Sequence, residues 1–242
     1  MLKQLAKESK KVGLDMNTEK TKVMTNYLKK QIKVNENVIE YVDEYIYLGQ
    51  IISPADSMSR EIERRVCNAW KKYWSLKEVM KSKEIPIADK CEVFNRCILP
   101  VLTYGCQTWG LTAKQMNKLE TCQHNMERSL LHIRKTDKIR LTTIRKRTKV
   151  KDVFTTIKTL KWKWTGHMMR NCKNKWSKTI TEWYPRDSKR GRGRQYRRWE
   201  DDLKAVAGNI WRRKARDREL WRTLEEAYAG RRTDAVNNVS FV

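Results

Sequence analysis

The spacing of apolar residues changes near residue 54. Before it, they come in short runs rich in Val, Ile and Tyr. After it, they recur every three or four residues. Residues 1–12 read as the end of an amphipathic helix with Leu2, Leu5 and Ala6 on one side, and Gly13 as its stop. Lys20–Asn26 predicts a short strand, 35–37 a turn, and Val38–Val42 and Tyr45–Ile52 two more strands meeting at Asp43-Glu44. Beyond Pro54, Ile62, Val66, Ala69, Tyr73, Leu76 and Met80 step by three and four, the spacing of one face of a long helix. Ser57 or Ser59 can cap it, and Glu61 and Glu63 suit its positive end.

Ile87, Cys91, Phe94, Ile98 and Val101 give a second helical face, which Pro100 should end or kink. Pro86 sits where a first helical turn tolerates it. Thr112 can cap a third helix, with Leu119, Cys122, Met126, Leu130 and Ile133 inward. Val153, Ile157, Leu160, Trp164 and Met168 mark another. Trp199, Leu203, Val206 and Ile210 mark a fifth, and Leu220, Leu224 and Tyr228 a short last one. The pattern predicts an α+β fold, predominantly α, with a small antiparallel β group followed by helices. Residues 231–242 read as a frayed tail.

Composition narrows the class. Lys and Arg number 54 against 28 Asp and Glu, a formal charge of +26. A compact chain this cationic repels itself unless it works beside a polyanion. Ten Trp and 9% aromatic residues argue against a wholly disordered basic tail. No apolar run approaches the ~20 residues of a membrane span, and Met1–Lys7 lacks the apolar stretch of a signal peptide. The expected setting is intracellular, nucleus or cytoplasm, with no membrane partner. The six Cys form no Cys-x-x-Cys pair and read as small buried apolar residues.

The charge is uneven. Residues 1–110 hold 19 basic and 14 acidic residues, whereas residues 128–198 hold 24 and 4. That asymmetry predicts a packed first half and a polyanion-binding second half. Lys189, Arg190, Arg192 and Arg194 alternate with Gly191 and Gly193, and Arg197-Arg198 follow. Glycines let a backbone approach phosphates, and arginines fork onto phosphate oxygens. Arg145-Lys146-Arg147 is a second cluster. Lys161 and Lys163 interleave with Trp162 and Trp164, a pairing used where bases stack beside a held backbone. Taken singly, Trp162, Trp164 and Trp199 read as core residues.

Other chemistry is poorly supported. His167 and Cys172 lack a close upstream Cys pair for zinc, and no metal site is expected. Glu200-Asp201-Asp202 are adjacent, so they leave a helix start in different directions and read as complements to its positive end. No nucleophile triad or phosphate-binding glycine loop stands out.

Several strings together resemble the reverse transcriptases of non-LTR retrotransposons, of an RTE-like, insect type. Gly13–Met24 resembles the segment just after the catalytic aspartates, Gly-Leu-x-x-Asn-x-x-Lys-Thr. Tyr47–Ser53 resembles the next motif, whose β-hairpin helps hold the primer end. The likeness continues through Leu99–Trp109, Thr165–Arg170 and Gly191–Leu203, with Gln195 where that family usually has Pro. Each string is weak alone, and their order along the chain makes the set specific.

The resemblance implies that residues 1–55 are a remnant of the polymerase palm, 56–110 a helical thumb-like region, and 111–230 a basic helical nucleic-acid-binding region. It places Lys20 near the incoming nucleotide's phosphates and Tyr47, Leu48 and Gly49 in the primer-gripping hairpin. On their own, Lys20 reads as an exposed strand lysine and Leu48 as a core residue. The family's Phe/Tyr-Ala-Asp-Asp loop is expected upstream of Met1, so no catalytic residue and no cofactor is assigned here, although the intact enzyme would use Mg. The expected function is that of a reverse-transcriptase (RNA-directed DNA polymerase) fragment, inactive alone, that binds RNA, RNA–DNA hybrid or DNA. The alternatives are a stand-alone basic nucleic-acid-binding protein, a partner for acidic proteins, and an inert decayed fragment.

Overall fold

The structure is a computed structural model and describes residues 1–34, 37–53, 57–171, 175–183 and 198–230. The chain divides into two compact units, residues 1–61 and the remainder from Ile62.

In the first unit, α1 (Leu2–Lys11) buries Ala6 and ends before Gly13, which takes φ +75°. Three two-stranded pairs follow. Strands β2 (Lys33–Val34) and β3 (Asn37–Val38) pair antiparallel. So do β5 (Tyr45–Tyr47) and β6 (Gln50–Ile52). The pair β1 (Lys22–Val23) with β4 (Glu40–Tyr41) is parallel, which departs from the all-antiparallel expectation. The small core is Ala6, Val34 and Ile39, with Leu2, Met16, Val23 and Ile32 against it.

The run Tyr45–Ile52, expected as one strand, is a hairpin. Leu48 and Gly49 turn it with φ +47° and +75°. Two consecutive positive φ values define the two-residue turn whose twist matches the flanking strands, and Gly49 adopts its value at no steric cost. Leu48, expected in the core, is therefore at the turn tip and 75% exposed.

The second unit is helical. Helix α2 (Ser57–Ser75) crosses the unit boundary and is followed by α3 (Lys77–Met80). The expected long helix is thus broken at Leu76, where the Ser75 hydroxyl donates to Lys72 O at 2.8 Å and competes with the helical ladder. Ile62, Ala69, Tyr73 and Met80 are fully buried, as their spacing predicted. Helix α4 (Ile87–Val93) follows Pro86, which is its N-cap. It widens into a π-helical turn over Phe94–Ile98 before α5 (Leu99–Leu102), so Pro100 changes the helix type and does not end it. A π turn accommodates the hydrogen bond that a proline nitrogen cannot donate.

Helix α6 (Ala113–Leu130) begins with a capping box. Gln115 N–H donates to the Thr112 hydroxyl, and Thr112 N–H to the Gln115 side chain. Helices α7 (Leu141–Thr148), α8 (Val153–Arg170), α9 (Trp176–Glu182), α10 (Asp201–Ala207), α11 (Trp211–Arg216), α12 (Arg218–Thr223) and α13 (Glu225–Gly230) complete the unit. Helix α8 is the central element, touching α6, α9, α11, α13 and the turn Cys106–Thr108. Contacts between α8 and that turn join residues on either side of position 110. Ile210 and Leu220, expected inward, are exposed, and Trp211 and Trp221 are buried in their stead. The tail 231–242 lies outside the described residues.

Candidate nucleic-acid interface

Helix α7 carries Arg145, Lys146 and Arg147 in its last turn, where cations also complement the negative end of a helix. Ile144 and Thr148, four apart, are buried and anchor it, so Lys146 and Arg147 face solvent. The helix ends at Lys149, which takes φ +52° and donates its N–H to Arg145 O. Arg145 is drawn inward by an ion pair with Asp152, whose side chain caps α8 by accepting from Thr155 N–H at 2.9 Å.

The segment joining α7 to α8 is clamped from beneath by two residues of α6. Gln123 donates to Lys151 O at 2.9 Å and accepts from Val153 N–H at 2.7 Å. Glu127 accepts from the Thr148 hydroxyl at 2.9 Å. Burial pushes the Glu127 carboxyl above its ordinary value, although Thr148 and the Arg145 guanidinium pull the other way. Asn95 accepts from Lys151 N–H at 3.0 Å. The result is a groove of about 580 Å³ lined by Arg96, Arg147, Lys149, Lys151 and one carboxylate, Glu92, over Ile87 and Cys91. Among the described residues, Lys146, Arg147, Lys149 and Lys151 have no acidic partner, whereas Arg96 pairs with Glu92.

Lys161, expected on the binding surface, is inside the protein. Its ammonium lies 3.0 Å from Asp202 Oδ1, 2.7 Å from Trp199 O and 3.3 Å from Trp109 O. Lys158 meets the same carboxylate at 3.0 Å, and the Tyr228 hydroxyl donates to it at 2.8 Å. Burial pushes the Asp202 carboxyl up, but Lys161 and Lys158 hold it below the ordinary carboxylate range. Asp202 therefore does more than complement a helix end: it ties α8, α10 and α13 together. Sequence reading missed it because two lysines on α8 meet it only after folding. Glu200 likewise accepts from Lys204 at 2.6 Å and from Arg212 at 3.0 Å. Asp201 accepts from Arg198 N–H at 2.6 Å.

Trp162 stacks on Trp221 with centroids 3.7 Å apart and planes 4° from parallel. Each indole N–H donates to the other residue's carbonyl, at 2.9 and 3.0 Å. Gly166 makes room for this pair, since a Cβ there would lie 2.6 Å from the Trp221 ring. Trp162 is thus a core residue, as read singly, and Trp164 and Trp199 are half-buried with their rings edge-on at 5.8 Å. Lys163 is exposed, 3.4 Å from Glu225. Lys189, Arg190, Arg192, Arg194 and Arg197 lie outside the described residues, and Arg198 stands at the start of α10.

In the first unit, Lys20 is exposed, and the Tyr45 hydroxyl of the hairpin donates to its carbonyl at 3.2 Å. The structure thus brings Lys20 beside the hairpin that bears Tyr47, Leu48 and Gly49. Tyr47 and Leu48 point into water, and Gly49 is half-buried.

Metal and thiol chemistry find little footing. Among the described residues, no group of three or more His, Cys, Asp or Glu converges on one point. His167 is exposed, and Cys172 lies outside the described residues. Burial pushes the Cys106 and Cys122 thiols up to about 12, and burial aided by Glu127 lifts Cys91 to about 11. Cys67, expected to be buried, is exposed on α2. No described helix is long and apolar enough to cross a membrane.

What the fold and surface define, then, is a small strand-bearing unit joined to a tryptophan-cored helical unit with a predominantly cationic groove, in which Arg96 is paired with Glu92 and Arg147, Lys149 and Lys151 outnumber that carboxylate. No known protein-family profile matches the chain, and no solved structure does. An uncharacterized transposon-derived protein of Caenorhabditis elegans is 32% identical over 243 aligned positions, covering 91% of this chain and 86% of that protein. The chain belongs to the same transposon-derived family.

Proposed function

We propose that the chain derives from the carboxyl-terminal part of a non-LTR retrotransposon reverse transcriptase and binds nucleic acid without polymerase activity of its own. The observation that supports binding most directly is the groove at the end of α7, where Arg147, Lys149 and Lys151 stand together with no acidic partner among the described residues. Concentrated positive charge of this kind gains by releasing condensed counterions from a phosphate backbone. The relationship to a transposon-derived protein supports the ancestry, as does the order of the five strings that resemble the enzyme family. The sequence contains no Ala-Asp-Asp, the string that supplies the metal-binding carboxylates in that enzyme family.

The roles follow from placement. The groove positions phosphates, and phosphate contacts fix register without reading sequence. Lys20 and the hairpin of Tyr47, Leu48 and Gly49 are the remnant of the nucleotide- and primer-facing surface.

The test is a filter-binding series with single-stranded RNA, RNA–DNA hybrid and duplex DNA over a range of salt. Affinity should fall steeply with salt, with a slope of about −0.9 in log–log terms per duplex phosphate contact. The variant Lys146→Ala/Arg147→Ala should weaken all sequences alike and flatten that slope by about 2. Salt-independent binding, or none at low salt, overturns the reading. Primer extension should be absent throughout.

A further inference from the structure

Positive charge gathers where α6 ends. His132 closes that helix with φ +59°, donating its N–H to Ser129 O at 3.2 Å, while Ile133 N–H reaches Arg128 O at 2.9 Å. This pair of bonds stops a helix with a left-handed residue, a place glycine usually fills. Here an exposed imidazole fills it. The Lys81 ammonium, on the segment after α3, donates to the same Ser129 O at 2.8 Å. Lys90 of α4 reaches back to donate to Ser82 O, between Lys81 and Lys83. The three lysines are close enough to act on the ring. Partial desolvation, then the charges of Lys81, Lys90 and Lys83, lower the His132 imidazole from its ordinary value.

Lys90 is 3% exposed. A lysine so deep usually has a carboxylate beside it. Among the described residues, Lys81, Lys83 and Lys90 pair with none, and Lys81 and Lys90 end on neutral carbonyls. The carboxylates of the neighbouring stretches do not answer them. Glu84 and Asp89 are exposed and form no ion pair among the described residues. Asp137 accepts from Arg134 N–H at 2.7 Å, and Glu127 from Thr148. On the side of His132 itself, Arg128 donates to Ile139 O at 3.4 Å, and Arg134 and Lys135 are exposed. A peptide carboxylate would bring one charge to this cluster. A phosphate group brings its charge on several oxygens about one atom, and ammonium groups meet it as point charges.

We propose that Lys81, Lys83, Lys90 and His132 form a phosphate-binding site in which His132 takes up a proton from solvent as the ligand binds. Lys81, Lys83 and His132 supply the contacts, and Lys90 supplies charge from beneath. None of the four lines the groove at α7. The proposal does not rest on the nucleic-acid reading, because free phosphate and a strand's phosphates offer the same chemistry. The lysines oppose a proton on the ring of the free protein, and a bound anion offsets them. The imidazole's midpoint therefore rises on binding, and binding tightens as pH falls through it.

The experiment is an NMR titration of the imidazole signals of the full chain from about pH 4.5 to 8, across the range of histidine, at fixed ionic strength in chloride. His132→Gln assigns the His132 signal. The probes are sulfate, a phosphate mimic that stays doubly charged throughout, a short single-stranded RNA, and hexaglutamate. Sulfate and RNA should each raise the His132 midpoint by about one unit, equivalent to about tenfold tighter binding to the protonated ring. Hexaglutamate should raise it less. Lys83→Glu should raise the midpoint with no probe present and remove the response to sulfate. Lys83 is exposed, so the thermal melt of that variant should match the parent's.

A response to both sulfate and RNA supports the site for phosphate of either source. A response to one alone supports it for that source. No response to either, an equal shift of the exposed His167, or a larger shift with hexaglutamate overturns it. Lys146→Ala/Arg147→Ala should leave the sulfate response intact, which separates this site from the groove. A sulfate response in a chain that binds no strand upholds the site and overturns the nucleic-acid reading. Strand binding with no His132 response to any probe does the reverse.

Discussion

Residues 1–61 and the helical unit that follows hold themselves together by opposite means. Among its described residues, the first unit buries three apolar side chains, Ala6, Val34 and Ile39, and leaves Ile46, Tyr47, Leu48 and Ile52 of its hairpin in water. Backbone pairing in two- and three-residue strands does most of the work there. The helical unit interlocks large side chains by shape and by directed hydrogen bonds, with Trp162 and Trp221 at the centre. Isolated strand pairs are marginal in water, so the first unit should open locally at low free energy. A core of tightly fitted rings resists opening and tolerates little change. The contrast shows that one chain can pair a forgiving surface with an unforgiving core.

The sharpest way to break that comparison is to remove one half of the stacked pair. Trp221→Ala should cost about 3–5 kcal/mol, the usual range for emptying an aromatic core site. It would also strand the Trp162 indole N–H that now reaches Trp221 O. A thermal melt followed by near-ultraviolet circular dichroism reads the loss. A loss as large from Ile39→Ala would show that the two units do not differ as described.

Gly166→Ala attacks the same pair by intrusion. A Cβ at 2.6 Å from the Trp221 ring must displace it, at about 1–3 kcal/mol for overpacking. Thermal denaturation of this variant should show a lowered but still cooperative transition.

Asp202 and Glu127 of the helical unit should respond to pH in opposite senses. The Asp202 carboxyl is held down by Lys161 and Lys158 against its burial, so its contribution is present above the unfolded-state value and is lost as pH falls through the folded-state one. Glu127 is pushed up by burial, so the stability tied to its proton is present below the unfolded-state value and is lost as pH rises through the folded-state one. Glu127→Gln keeps an acceptor for the Thr148 hydroxyl and removes the buried charge. Its stability relative to the parent should therefore rise with pH above about 4.5, the ordinary carboxyl value. Urea titrations at several pH values measure this, and a flat difference would contradict it.

The smallest effect belongs to the first unit. Leu48 takes φ +47°, a region where non-glycine side chains other than Asn and Asp are uncommon. Leu48→Asn should stabilise the hairpin by about 1 kcal/mol or less. Amide hydrogen exchange of the hairpin resolves it, and no gain in protection would count against the turn geometry described.

Helical elements were the more legible part of the sequence. Ile62, Ala69, Tyr73 and Met80 are buried as their spacing required, and Thr112 caps α6 as its side chain allows. The apolar pattern of Tyr45–Ile52 read as one strand, because Leu48 gives no sign of a turn and only Gly49 does; the hairpin was expected from the family resemblance alone. Lys161 was misplaced for a different reason. A lysine next to a tryptophan looks the same whether it serves a phosphate or a carboxylate from a segment 41 residues away. Long-range pairing of that sort leaves no local mark. Arg145 shows a milder case: its cluster is basic as read, yet Asp152 claims it. The cations of the groove were legible as charge, but not the clamp of Gln123 and Glu127 that shapes it.

The mutual embrace of Trp162 and Trp221 also bears on how the protein is made. The two are 59 positions apart, so a ribosome has already released α8 before it polymerises the partner ring. During that interval the newly made helix carries Trp162, Lys158 and Lys161 without Trp221, Asp202 and Tyr228 to cover them. Synthesis that halts before Asp202 would leave these side chains permanently without their partners, a ready signal for chaperones and proteases.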